Sequence, residues 1–133
     1  MPKDNQNSSN EWENIKAEEV TQYFTSPHLL QALLRQIEKD FGTAQVELML
    51  EVEQQYSFPA LCQRLSEALE KHLQKGGSLK NLINRVDLTP RQINQFVPAP
   101  MASHLAALAT LIIKRELQKV VIRQWYKRFS TDE

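Results

Sequence analysis

Apolar residues recur at three- and four-residue spacing through most of the chain, and the gaps between runs carry helix-start and helix-stop residues. Leu29, Leu30, Leu33, Leu34, Ile37 and Phe41 form one stripe, opened by Ser26-Pro27 and closed by Gly42. A serine accepts from orphan N–H groups of the first turn, and proline at the first helical position lacks an N–H that would have no partner there. Arg35, Lys39 and Asp40 are assigned to other faces of this helix. Ser57-Phe58-Pro59 repeats the start, and Leu61, Leu65, Ala68, Leu69 and Leu73 run on to a stop at Gly76-Gly77. Ser78 caps a shorter helix holding Leu79, Leu82, Ile83 and Val86, and Thr89-Pro90 opens one with Ile93 and Phe96. After the break Val97-Pro98-Ala99-Pro100, the stretch from about Ser103 to Phe129 has no Gly or Pro and is rich in strong helix formers. The pattern predicts an all-α fold, an irregular bundle of five to seven helices with a long C-terminal helix.

Two segments read less simply. In VELMLEVE, Val46, Leu48, Leu50 and Val52 alternate with period two, while Val46, Met49 and Leu50 also fit a helix. A helix is the reading, because a lone strand would leave its ladder groups unpaired. Near the N-terminus, MPKDNQNSSN offers nothing apolar after the initiator to repay ordering, so 1–10 reads as a disordered tail and 11–133 as a single helical domain. Trp12, Ile15, Val20, Tyr23 and Phe24 make a short amphipathic segment expected to dock on the body.

Composition narrows the class. With 133 residues and 41% hydrophobic content the chain supports one core. The single cysteine, Cys62, excludes an intramolecular disulfide framework and a Cys-rich zinc site. The most apolar run, Leu105 to Ile113, is far short of the roughly 20 residues a membrane helix needs, which points to a soluble, cytoplasmic protein without a membrane partner. Net charge is zero but polarised: residues 1–66 hold five basic and ten acidic side chains, and 67–133 hold eleven and six. Halves of opposite sign attract one another within the fold or between copies, or face different partners.

No residue set resembles an active site, and neither a cofactor nor a metal is expected. His28, His72 and His104 lack carboxylates at metal-motif spacing and read as surface residues, and Cys62 reads as a small core side chain beside Leu61. Three glycines exclude a Gly-rich phosphate loop.

Two features stand out. Residues 78–97, SLKNLINRVDLTPRQINQFV, resemble a helix-turn-helix segment of bacterial transcription regulators. That resemblance implies Thr89 as the cap of a recognition helix, with Arg91, Gln92, Asn94 and Gln95 facing a major groove. It departs from the motif at Ile83, where a small residue is usual, and at Asp87, where glycine is usual. The alternative is two core helices joined by a capped turn. The second feature is the C-terminal helix, where Arg115, Lys119, Arg123 and Lys127 recur every four residues as a basic ridge. Leu111, Ile122, Trp125 and Phe129 fall on a different side from Leu105, Leu108, Ala109, Ile112 and Val120, so this helix reads as apolar on two faces. One enters the core; the other is covered by the Trp12–Phe24 segment or binds a partner through Trp125, Tyr126 and Phe129, with Arg115, Lys119, Arg123 and Lys127 as further partner-binding candidates.

The pairing of INRVDLTPRQI with LIIKRELQKVVIR is also similar to that in a group of small all-helical bacterial proteins, a resemblance that implies an all-α fold and attaches no activity. The expected function is a non-enzymatic protein–protein interaction module that binds a protein partner or itself. The alternative is nucleic-acid binding through the helix-turn-helix-like segment and the basic ridge.

Overall fold

The computed structural model of the chain describes residues 11–51 and 53–131, with side chains omitted for 11 and 128–131; the expected tail at 1–10 and the Phe129 side chain lie outside the described residues. Among the described residues seven α-helices are formed: α1 (Glu11–Asn14), α2 (Ala17–Phe24), α3 (Pro27–Thr43), α4 (Phe58–Gln74), α5 (Lys80–Val86), α6 (Pro90–Phe96) and α7 (Leu105–Thr131). A 3₁₀ turn, Met101–Ser103, leads into α7. There is no strand among the described residues, and the all-α bundle with a long C-terminal helix is as expected.

Three starts follow the sequence, whereas at α5 Leu79 rather than Ser78 is the N-cap, without a side-chain cap bond, and Ser78 Oγ accepts from Lys80 N at 3.1 Å. Ser26 Oγ accepts from Leu29 N (3.4 Å), Ser57 Oγ from Ala60 N (3.1 Å), and Thr89 Oγ1 from Gln92 N (3.1 Å). The stops are more varied. Gly76, at φ +87°, ends α4, with Gly77 N donating to His72 O at 3.0 Å. A Cβ on Gly77 would lie 2.3 Å from the His72 ring, which packs against that glycine. Gly42, by contrast, stays helical, and the left-handed residue that ends α3 is Gln45 at φ 63°. Val46 N donates to Phe41 O there (2.9 Å), and burial of Val46 anchors the turn much as a hydrophobic contact accompanies a Schellman cap. Asp87 takes the left-handed position after α5, at φ 75°, where the helix-turn-helix comparison expects glycine.

Of the segment read as a helix at 46–52, residues 46–51 are not helical, and residue 52 lies outside the described residues. Residues 46–51 run without regular secondary structure as a strap, with Val46 and Leu50 buried, Leu48 half-buried, and Glu47, Met49 and Glu51 exposed. The period-two alternation is therefore real, and side chains satisfy the backbone where no ladder exists. Leu50 N donates to the Glu38 carboxylate (3.3 Å), Glu51 N to the Tyr56 hydroxyl (3.1 Å), and the Arg64 guanidinium donates to Met49 O.

The core sits around α7, which packs against α1, α3, α4, α5 and α6. Leu108, Ala109, Leu111, Ile112, Ile113, Leu117 and Val120 are all buried. Three consecutive buried residues at 111–113 span most of the helix circumference, since each turns about 100° from the last. Both apolar sides of this half of α7 are therefore enclosed, the pattern of a central helix. The expected grouping of Leu111 with Ile122 and Trp125 therefore fails: Leu111 is core, and the other two are exposed. The N-terminal segment docks on the body, as expected. Trp12 and Tyr23 stack at 5.7 Å, Phe24 meets Phe58 at 5.8 Å, and Lys114 Nζ donates to Glu13 O at 3.2 Å.

Candidate interaction surface

The ridge does not face solvent along its whole length. Arg115 donates to Asp87 Oδ2 (2.9 Å) and to Gln118 Oε1 (2.6 Å). Lys119 Nζ lies 2.9 Å from Asp40 Oδ2, 3.0 Å from Glu116 Oε1 and 3.2 Å from Arg85 O. Arg123 donates to the Gln36 amide oxygen. The first two members are thus internal ties from α7 to α3 and α5, a correction to their reading as partner-binding cations. Arg123 and Lys127 are exposed.

Those ties surround two buried acids that the sequence pattern did not single out. Asp40, assigned to another face, is buried, and Glu116 is 0% exposed. Burial first, and the adjacent Asp40 carboxylate second, push the Glu116 pKa up to about 9, so at neutral pH it is protonated and can donate to Asp40. For Asp40, burial acts to raise the pKa but is outweighed by the neighbouring Glu116 carboxyl and by hydrogen bonds from Lys119 and Gln36, so its carboxyl is held below the usual aspartate value. A signal was present: Asp40 continues the series Leu33, Ile37, and Glu116 continues Ala109, Ile112, so each acid interrupts an apolar stripe on the buried face.

The helix-turn-helix-like residues are divided. The Gln92 carbonyl closes the α6 cap by accepting from Thr89 N (2.8 Å), and its amide donates to the Glu13 carboxylate. Gln92 is therefore tied into the fold, a correction to its reading as a base-contacting side chain. Glu13 is buried, which raises its pKa against the opposing influence of Arg115 and Arg91. Arg91, Asn94 and Gln95 are exposed on α6. The two helices take their main packing elsewhere, α5 on α3 and α7, and α6 on α7. Each is only seven residues long.

Cys62 is half-buried, with Sγ 3.0 Å from Thr110 Oγ1. The histidines are not all plain surface residues: His28 is exposed, while half-buried His72 and His104 donate to Ser78 O (3.1 Å) and Pro100 O (3.0 Å).

Beyond Val120 the helix leaves the core. Ile122, Trp125 and Tyr126 are 41%, 54% and 62% exposed, at the i, i+3, i+4 spacing of one face. Trp125 and Tyr126 meet edge to face at 5.4 Å. Beside them a groove of about 610 Å³ is lined by Tyr23, His28, Leu29, Val121, Gln124, Trp125 and Lys127. Trp125 and Tyr126 are thus brought together on an open surface, as the reading of them as anchors requires. The only other large apolar side chain exposed to this degree among the described residues is Met49 at 79%, which nothing in the sequence pattern marked out. The fold and this surface define an irregular all-α bundle wrapped on a central helix whose end projects past the core. Among known proteins, no family model, curated sequence or solved structure matches the chain. Among the described residues no helix is long and apolar enough to cross a membrane, and no cluster of three or more His, Cys, Asp or Glu side chains could hold a metal ion.

Proposed function

We propose that this chain is a non-enzymatic helical interaction module, acting in the cytoplasm, that binds a protein partner through the C-terminal end of α7. The observation that supports it is the exposed row Ile122, Trp125 and Tyr126 bordering a groove against α2 and α3. Exposed aromatics are uncommon on the face of a monomer, and Trp and Tyr dominate the energetics of interfaces where they are found. Arg123 and Lys127 flank the row, which favours a partner with carboxylates at its rim.

Site-specific photocrosslinking in cells tests this. A crosslinking side chain at position 126 should give discrete protein adducts, and one at exposed Arg35 should not. Trp125→Ala should abolish the adducts while leaving the circular dichroism of the purified protein unchanged. An absence of adducts from 122 and 126 alike removes the reading.

A further inference from the structure

We infer that the partner is a second copy of this chain, whose Met49 strap seats in the Trp125 groove of its neighbour. This rests on the interaction-module reading and names the occupant of its surface.

Two exposed apolar features lie on one body, and their surroundings are opposite in charge. Met49 projects from an acidic segment, with Glu47, Glu51 and Glu53 exposed around it. Glu67 borders the shallow depression beside it, where Arg64 and Lys71 are the cations. Lys75 answers Glu47 at 3.1 Å, Arg64 donates to the neutral Met49 carbonyl and keeps its charge, and no cation pairs with Glu51 or Glu53 among the described residues. On the other feature, Arg123 donates to a neutral amide and so keeps its charge, with Lys127 one turn further on. Methionine is an adaptable side chain, and its thioether packs favourably against aromatic edges such as those of Trp125 and Tyr126.

The other occupants fit less well. MPKDNQNSSN and the final STDE supply no apolar row to lie in the groove. Nor can the strap fold back onto its own chain's groove. Glu38, Tyr56 and Arg64 hold it near the C-terminal end of α3, whereas Leu29 places the groove at the N-terminal end of that helix. Nine residues of helix separate Glu38 from Leu29, roughly 13 Å. Two complementary surfaces fixed apart on one body pair between copies, head to tail.

The contact predicts an outcome that a symmetric α7-to-α7 contact does not. Met49→Asp removes the strap knob and keeps the groove; Trp125→Ala removes the groove anchor and keeps the strap. In sedimentation velocity across micromolar to near-millimolar protein, the wild type should gain mass with concentration and lose that gain at high salt. Each variant alone should associate at least about tenfold more weakly. Mixed one to one, they should form a heterodimer, because each still carries the face the other lacks. If Trp125→Ala fails to fold, Arg123→Glu takes its place as the groove-dead variant. A wild type that self-associates while the mixture stays monomeric overturns the strap-to-groove pairing. A wild type monomeric throughout also overturns it. Adducts to a different protein from position 126 would then leave the interaction module standing, and no adducts would remove both.

Discussion

From Leu108 to Val120, α7 is enclosed by its neighbours, whereas from Val121 to Lys127 the same unbroken helix borders a groove shared with α3 and the end of α2 and carries exposed Ile122, Trp125 and Tyr126. Both stretches mix large apolar residues with cations spaced four apart. What differs is what faces them. Arg115 and Lys119 meet Asp87, Asp40 and Glu116, while Arg123 meets only the neutral Gln36 amide. Along one helix, then, burial and pairing are set by the elements that arrive alongside and not by local composition. The enclosed half holds the bundle together, and the projecting half carries the exposed row Ile122, Trp125 and Tyr126.

The widest gap between the halves should appear on truncating their apolar side chains. Leu117→Ala, at a fully packed site, should cost about 3 kcal/mol. Ile122→Ala should cost under about 1 kcal/mol, because its side chain is already 41% exposed. Urea midpoints at unchanged m-value measure both, and equal losses would make the projecting half core.

Removing a cation should separate the halves next. Lys119→Met leaves Asp40 buried beside a neutral side chain, with Arg85 still 3.8 Å away, so a loss of about 2–3 kcal/mol is expected, at the low end for a broken buried pair. Lys127→Met, on the exposed surface, should stay within about 0.5 kcal/mol. Comparable losses in the two would mean that the outer cations stabilise the fold no less than the inner ones.

The sequence carried much of the fold and part of this contrast. Helix starts were legible because Ser-Pro and Thr-Pro caps act within three residues. Stops were legible at Gly76 and not at Gln45, where a buried Val46, rather than a residue with intrinsic left-handed preference, fixes the turn. The strap was misread because the groups that satisfy it, Glu38 and Arg64, lie 12 and 15 residues away. Trp125 and Tyr126 are exposed, but spacing alone sets Trp125 on one face with Leu111, which is buried. The ridge was half misread for the same reason as the strap: the acid that binds Lys119 is 79 residues distant in the chain. Periodicity reports which face is apolar, and it is silent on which distant polar group will come to meet a charge.

Acidity offers a finer test of the enclosed half. The Glu116 pKa rises on folding from an ordinary 4.5 to about 9, so between those values the folded chain holds a proton that the unfolded chain has released. Stability from this group is therefore greatest at low pH and declines as pH climbs from about 4.5 towards 9, by about 1.4 kcal/mol per unit at most. Asp40, held below its ordinary value, acts in the opposite sense, and its contribution is lost as pH falls through the aspartate range. Glu116→Gln keeps a neutral donor to Asp40 and removes the proton to be lost. The variant should flatten the decline above pH 5 and be the more stable protein at pH 8, as read by chemical denaturation across a pH series. A wild type as flat as the variant would mean that Glu116 is ionised in the fold.

The smallest expected effect lies at the solvent-facing edge of the enclosed half. Asp87 is mostly exposed and its pair with Arg115, at 2.9 Å, is open to solvent, so Asp87→Asn should cost only about 0.5 kcal/mol. Asparagine tolerates the left-handed backbone as aspartate does, so the change isolates the charge from the turn. That loss should fade in concentrated salt, because a solvent-exposed pair is screened. Arg123→Gln, whose partner is the neutral Gln36, should show no salt-dependent component in monomer stability. Thermal melts of both variants at low and high salt separate the cases. A salt-dependent loss at Arg123 would place an unrecognised acid against the projecting half, and would move the boundary between fold and surface one turn further along α7.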